Sequence, residues 1–213
     1  MTVSNSQVDS RDLAATVFVV DDDQAMRQSI EFLLTSAGLS ARTFDSGRAF
    51  LNAFAPDMHG CLLLDVRMPG MSGLDLLEKL RESHVNLPVI MVTAYADVPM
   101  AVRAMQCGAC DFIEKPFDAA VLLERVNKAL RLELATRADD EHRRLVRHRL
   151  DRLTPREREV MDLVVSGMLN KQVAAELGIS IKTVETHRAC IMEKTAAGSL
   201  AELVRMSLIA QDK

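Results

Sequence analysis

A chain of 213 residues, 48% of them hydrophobic and carrying a net charge of −4, has the size and composition of one large or two ordinary globular domains. No stretch approaches the ~18 consecutive apolar residues that span a bilayer, and four scattered cysteines exclude a secreted disulfide framework. The charge is uneven: residues 1–130 hold 17 acidic and 11 basic side chains, a balance of −6, whereas residues 131–213 hold 13 and 15, a balance of +2. That split indicates two domains, the second suited to approach a polyanion.

Residues 1–14 are polar and lack the apolar segment of a signal peptide, so they read as a disordered leader and the cytoplasm is the expected compartment, with no membrane contact. From Thr16 to Val20 an apolar run has the form of a strand buried on both faces, and it ends in Asp21-Asp22-Asp23. Met26, Ile30, Leu33, Leu34 and Ala37 then follow at helical spacing up to Gly38. Ala41 to Phe44 is a short strand, and Ser46 caps a helix to about Phe54. Cys61 to Leu64 is a third strand that delivers Asp65. Ser72 caps the next helix, with Leu74, Leu77 and Leu80 on one side. Pro88 to Thr93 is a fourth strand, Val98 to about Cys107 a helix, Cys110 to Ile113 a fifth strand, and Asp118 caps a helix from Ala119. Five strands alternating with five helices over residues 15–130 predict a doubly wound α/β fold with a five-stranded parallel sheet.

In such a sheet the strands' carboxyl ends converge on one edge, which gathers Asp21, Asp22, Asp65, Thr93 and Lys115. Three clustered carboxylates repel unless a cation is held among them, and an all-oxygen set suits Mg²⁺. The hydroxyl of Thr93 and the ammonium of Lys115 would contact a transferring phosphoryl group, leaving Asp65 as its nucleophile. Taken alone, each of these residues is explained as well by a helix cap or a turn. Asp23 extends the acidic pair and needs only solvent.

The motifs Val-Val-Asp21-Asp22, Leu-Leu-Asp65-x-x-Met68-Pro69-x-Met71-x-Gly73, Thr93-Ala94 and Gly108-Ala109-x-Asp111-Phe112-x-x-Lys115-Pro116-Phe117 resemble the receiver domain of two-component response regulators, which is flavodoxin-like. The resemblance implies Asp65 as phosphoacceptor and Asp21, Asp22, Asp65 and the Arg67 carbonyl as the Mg²⁺ site. Thr93 and Lys115 would contact the phosphoryl group, Thr93 and Phe112 would form a conformational switch, and Lys115-Pro116 would be a cis peptide. Cys107-Gly108-Ala109-Cys110 supports an alternative, a redox-gated DNA-binding regulator, although small residues between a helix and a strand account for the spacing equally.

Residues 131–152 contain no Pro or Gly, so nothing stops the preceding helix, and the segment reads as a solvent-exposed helical linker. Its apolar positions, from Leu130 through Leu134 and Ala138 to Leu145, are sparse for a coiled coil, so a dimer seam is a second reading.

Residues 153–213 predict an all-α, four-helix domain. Thr154-Pro155-Arg156-Glu157 is a capping box with proline at the first helical position. Asn170 and Ser180 cap two short helices around Gly178, which makes a helix-turn-helix, and Ser199-Leu200-Ala201-Glu202 opens a last helix. The span from Asn170 to Ala189 is the expected DNA reader. Lys171, Lys182, Thr183, Glu185, Thr186, Arg188, Ala189 and Lys194 are its candidate contacts. The pattern from Leu153 to Lys194 resembles the LuxR-type output domain, and Ser199 to Met206 is similar to the FixJ subgroup. Thr195 stands where that family has leucine, which would loosen the packing beneath the last helix. The two resemblances together imply a FixJ-like response regulator. Its partners would be a sensor histidine kinase, double-stranded promoter DNA, RNA polymerase and, once phosphorylated, a second copy of itself. Residues at Met100, Arg103 and Gln106 are candidates for that dimer face. No catalysis is expected beyond its own phosphorylation and dephosphorylation.

Overall fold

The computed structural model describes residues 15–55, 58–94 and 98–211; the expected leader lies outside them. The chain divides between Thr136 and Arg137 into two compact units.

In the first unit, strands β1 (Thr16–Val20), β2 (Ser40–Phe44), β3 (Gly60–Asp65), β4 (Val89–Thr93) and β5 (Asp111–Glu114) alternate with helices α1 (Gln24–Ser36), α2 (Gly47–Ala53), α3 (Gly73–Glu82), α4 (Val98–Gln106) and α5 (Ala119–Asp151). All strand pairs are parallel, in the order β2-β1-β3-β4-β5. The period of two along each strand sorts the core into two layers. Phe18, Val20, Leu62, Leu64, Val89 and Met91 pack under α2, α3 and α4 with Phe50, Leu77 and Ala104. Val17, Val19, Cys61, Leu63, Ile90 and Ile113 pack under α1 and α5 with Ile30, Leu34, Leu122 and Val126. The strands most buried on both faces, β1, β3 and β4, are therefore the ones whose sequences lack alternation.

The caps predicted at Ser46 and Ser72 form. The Ser46 hydroxyl accepts from the Ala49 amide, and Ser72 closes a capping box with Asp75. Asp23 is more than a solvated neighbour: its carboxylate accepts from the amides of Ala25 and Met26 and starts α1. Gly73 has no room for a side chain, because a Cβ there would collide with the Asp65 carbonyl; this close approach sets where α3 begins below the strand end.

In the second unit, the last turns of α5 lie against α6 (Pro155–Val165), α7 (Asn170–Leu177), α8 (Ile181–Thr195) and α9 (Leu200–Gln211). Val146 and Leu150 of α5 are buried with Leu153, Val160, Val173, Val184, Ile191 and Leu203. The end of the expected linker thus supplies core to this unit. Gly178 takes a left-handed conformation (φ 63°) between α7 and α8, the geometry that makes glycine the favoured residue at a helix stop.

Two expected caps differ. Asn170 is the first residue of α7; the cap is Leu169, whose amide donates to Gln172 Oε1 at 2.8 Å, leaving the Asn170 amide side chain for another partner. At α9, Ser199 Oγ accepts from the Glu202 amide, but Glu202 reaches one residue further back, to the Gly198 amide at 2.8 Å. Thr195 is the last residue of α8. It is fully buried, and its hydroxyl donates to the Ile191 carbonyl at 2.7 Å, so no polar atom is left without a partner.

Candidate functional site

The parallel register brings the strand ends level. Val20 lies opposite Leu64 and Asp65 opposite Val92, so Asp21 and Asp65 leave neighbouring strands side by side, with Thr93 one residue beyond on β4. The Lys115 amide donates to the Thr93 carbonyl at 2.7 Å, which carries β5's extension over the same edge. Lys115 Nζ donates to Asp21 Oδ2 at 2.7 Å and to Asp65 Oδ1 at 2.6 Å, and the Lys115–Pro116 peptide is cis. The remaining carboxylate oxygens take main-chain amides: Asp65 Oδ2 accepts from Arg67 at 2.8 Å and Asp21 Oδ1 from Asp23 at 2.9 Å. Asp21 and Asp65 are 3% and 7% exposed, Thr93 is buried, and the carboxyl edge of the sheet is thereby an ionic cluster with a sparing supply of water.

Burial pushes the Asp65 carboxyl above its usual range and Asp21 adds to this, against the pull of Lys115 and the Arg67 amide. For Lys115, burial opposes the charge, but the hydrogen bonds to Asp21 and Asp65 outweigh it and hold the ammonium's pKa up. Two carboxylates sharing one ammonium leave a net negative site, which favours a further cation.

Asp22, expected beside them, is exposed. Among the described residues no three His, Cys, Asp or Glu side chains converge on one metal position. The donors that do converge are all oxygen, and a carboxylate oxygen already accepting one hydrogen bond has a second lone pair; this set suits a hard divalent cation completed by water.

Arg27, absent from the sequence expectations, shapes the same edge: its guanidinium donates to the carbonyls of Asp21 (2.7 Å) and Asp22 (3.0 Å). A cation in the first turn of α1, where the helix dipole disfavours it, was the available signal. Phe112 is partly buried against the layer under α3 and α4. On α4, Met100 packs inward with Ala104, Arg103 pairs with Glu78 at 3.2 Å, and Gln106 is exposed; Val102 and Met105 are exposed apolar side chains on the same helix. Helical phase, with Ala104 as the inward reference, gives this assignment.

Cys107 and Cys110 are free thiols. Burial raises both pKa values, with Glu78 adding to it at Cys107 and Asp111 at Cys110. Neither environment promotes the thiolate that redox chemistry needs.

In the second unit the outward face of α8 carries Lys182, Glu185, Thr186 and Ala189, and Lys171 is exposed on α7. Lys182 Nζ lies 3.7 Å from Glu185 Oε2. Thr183 is part of the Ser180 cap. Arg188 is half-buried and donates to Asn170 Oδ1 at 2.7 Å, linking the two helices of the motif. Lys194 grips both oxygens of Glu157, at 2.8 and 2.6 Å, and so ties α8 to the start of α6. Arg156 donates to the Leu177 carbonyl at 2.7 Å, securing the end of α7 just before Gly178.

Known families match both units. The response regulator receiver domain model covers residues 17–127 and the model of bacterial regulatory proteins, luxR family, covers 151–207. The chain is 47% identical over 194 residues to the transcriptional regulatory protein FixJ of Rhizobium meliloti (strain 1021), covering 91% of this chain and 95% of that one. It is 45% identical to nodulation protein W of Bradyrhizobium diazoefficiens, over 91% of this chain and 85% of that one. The solved structure of the response regulator StyR superposes with a TM-score of 0.83 at 44% identity, covering 92% of this chain and 98% of the other. The chain belongs to the two-component response regulators, in the FixJ-like subgroup that joins a receiver domain to a LuxR-type helix-turn-helix domain. It is a transcriptional regulator rather than a conventional enzyme, and no helix among the described residues is long and apolar enough to cross a membrane.

Proposed function

We propose that a sensor histidine kinase phosphorylates Asp65 and that this switches sequence-specific DNA binding towards transcriptional activation in the cytoplasm. The observation that carries the reading is the position of Asp65: a buried carboxylate at the carboxyl end of the central strand, bonded to Lys115 and flanked by Asp21. In the transfer an Asp65 oxygen attacks phosphorus, the bond from phosphorus to the donor histidine breaks, and its electron pair returns to the imidazole. Lys115 and Thr93 meet the phosphoryl oxygens, and the Arg67 amide orients the second Asp65 oxygen. Asp21, Asp65, the Arg67 carbonyl and Asp22 would hold Mg²⁺, which supplies charge neutralisation at those oxygens. Movement of Thr93 and Phe112 on phosphorylation would alter the α4–β5 surface, where Val102 and Met105 are exposed, and favour a homodimer on paired half-sites that engages RNA polymerase. The activated chain is therefore expected to sediment as a dimer and to bind a duplex with two half-sites more tightly than before treatment with a phosphodonor. Tighter binding by an unchanged monomer would replace the dimer mechanism with release of an inhibited output domain.

Among the DNA-facing residues, Lys171, Lys182, Glu185, Thr186 and Ala189 are the proposed contacts, while Arg188, Thr183 and Lys194 hold the motif's geometry. A carboxylate near DNA phosphates is repelled, so generic attraction does not explain Glu185. In the major groove it accepts from a cytosine amino group, with Lys182 beside it compensating the charge. Glu185→Ala is expected to relax preference at one base pair by about 1–3 kcal/mol, with unspecific binding unchanged or stronger. Competition binding across single-base operator variants at fixed salt measures this, and a uniform loss over all variants would remove Glu185 from the reading face.

A further inference from the structure

The last three turns of α5 carry a charge pattern that neither the receiver chemistry nor the helix-turn-helix uses. Residues 142–152 contain five arginines, two histidines and one acid, Asp151. Arg144, Arg147, His148, Asp151 and Arg152 fall at i, i+3, i+4, i+7 and i+8, a single side of the helix end, and all five are exposed. The opposite side holds the buried Val146 and Leu150, which fix the stripe to the core of the DNA-binding unit. The one acid in the stripe is countered by Arg158 of α6, 3.5 Å away.

Helix stability alone does not account for the pattern. A cation near the helix end complements its dipole, but Arg158 already donates to the terminal Leu150 carbonyl at 2.8 Å, and Arg144 and Arg147 sit one to two turns further in. A merely solvated helix face interleaves signs at i, i+4; here Arg144–His148, His148–Arg152 and Arg143–Arg147 place basic groups at that spacing, which works against the helix when they are charged. Glu141, 3.8 Å from Arg144, is the last acid before Asp151. A row of cations one helix face long, held rigidly on a DNA-binding unit, is complementary to the regular phosphates of a duplex backbone.

We propose that Arg144, Arg147 and Arg152, with His148 among them, form a second, sequence-independent contact with the phosphate backbone of the DNA that α8 reads. The proposal rests on the DNA-binding reading above. Each arginine that reaches a phosphate releases a condensed counterion, so it steepens the salt dependence of binding without changing base preference. The test is anisotropy titration of the full chain with two duplexes, one of arbitrary sequence and one enriched from a random pool by the unchanged chain, over a series of salt concentrations. The variant R144Q/R147Q/R152Q is expected to flatten the slope of log K against log salt by about two to three units on both duplexes, with the ranking of single-base variants preserved. R144K/R147K/R152K keeps the charge and is expected to restore the slope, which separates charge from folding. An unchanged slope in the glutamine variant, while the unchanged chain still selects and binds a duplex, overturns the proposal. Loss of binding to phosphatidylserine vesicles in place of the change in slope also overturns it and gives the stripe to an anionic surface. Absence of duplex binding by the unchanged chain and by Lys182→Ala alike overturns the underlying DNA reading itself.

Discussion

Replacing Asp65 with asparagine is expected to reduce phosphoryl uptake from acetyl phosphate by roughly a thousandfold or more, because an amide oxygen is not a competent nucleophile at phosphorus. The variant should fold. Burial and the neighbouring Asp21 both disfavour the charged Asp65, so neutralising it removes an opposed charge, and Lys115 keeps its 2.7 Å bond to Asp21. Radiolabel or mass shift on the intact chain measures the loss, with amide exchange of β3 and β4 reporting the fold. Undiminished labelling would put the acceptor at another carboxylate.

The largest effect on stability is expected at Glu157. This nearly buried carboxylate closes the capping box with Thr154 at 2.8 Å and takes both hydrogen bonds from Lys194, and these partners, Lys194 first, lower its pKa to about 2. Glu157→Ala removes the cap and the ion pair and should cost the second unit about 2–3 kcal/mol, a loss of roughly 30- to 150-fold in amide protection across α6 and α8. Glu157→Gln preserves the capping geometry while losing the charge, and should cost about half as much. The pH dependence has a definite sign. The folded pKa lies below the unfolded value of about 4.5, so the contribution is fully present above the unfolded pKa and is lost as pH falls from there towards about 2. Hydrogen exchange over that range should show α6 and α8 losing protection in the unchanged chain but not in Glu157→Ala. Equal acid sensitivity in both would move the responsible group elsewhere.

The contrast between Asp65 and Glu157 shows which kinds of residue a sequence makes legible. Asp65 ends an apolar run bounded by Pro69-Gly70, so local pattern places it at a strand end and topology does the rest. Thr154-x-x-Glu157 is equally visible as a capping box, but its tie to Lys194 spans 37 residues and appears only when α6 and α8 are packed together. The same holds for Arg188, which spacing turns outward towards phosphate and packing turns onto Asn170. Asp22 is exposed where its neighbour Asp21 is buried, a difference that adjacency in the sequence does not show.

By itself the sequence determined the order and type of the described elements, the helix-turn-helix glycine Gly178 and the Ser180 cap that follows it, and the strand-end positions of Asp21, Asp65, Thr93 and Lys115. These follow from local periodicity and from the right-handed connection of parallel strands, which leave few alternatives. Only the tertiary structure decided which charges face each other: Lys115 between Asp21 and Asp65, Arg27 over the β1–α1 turn, Lys194 on Glu157, and Val146 and Leu150 drawing the end of α5 into the second core. Periodicity specifies which side of an element is apolar, whereas the partner of a long polar side chain depends on what the neighbouring element presents within its reach, and that is fixed only when the elements pack.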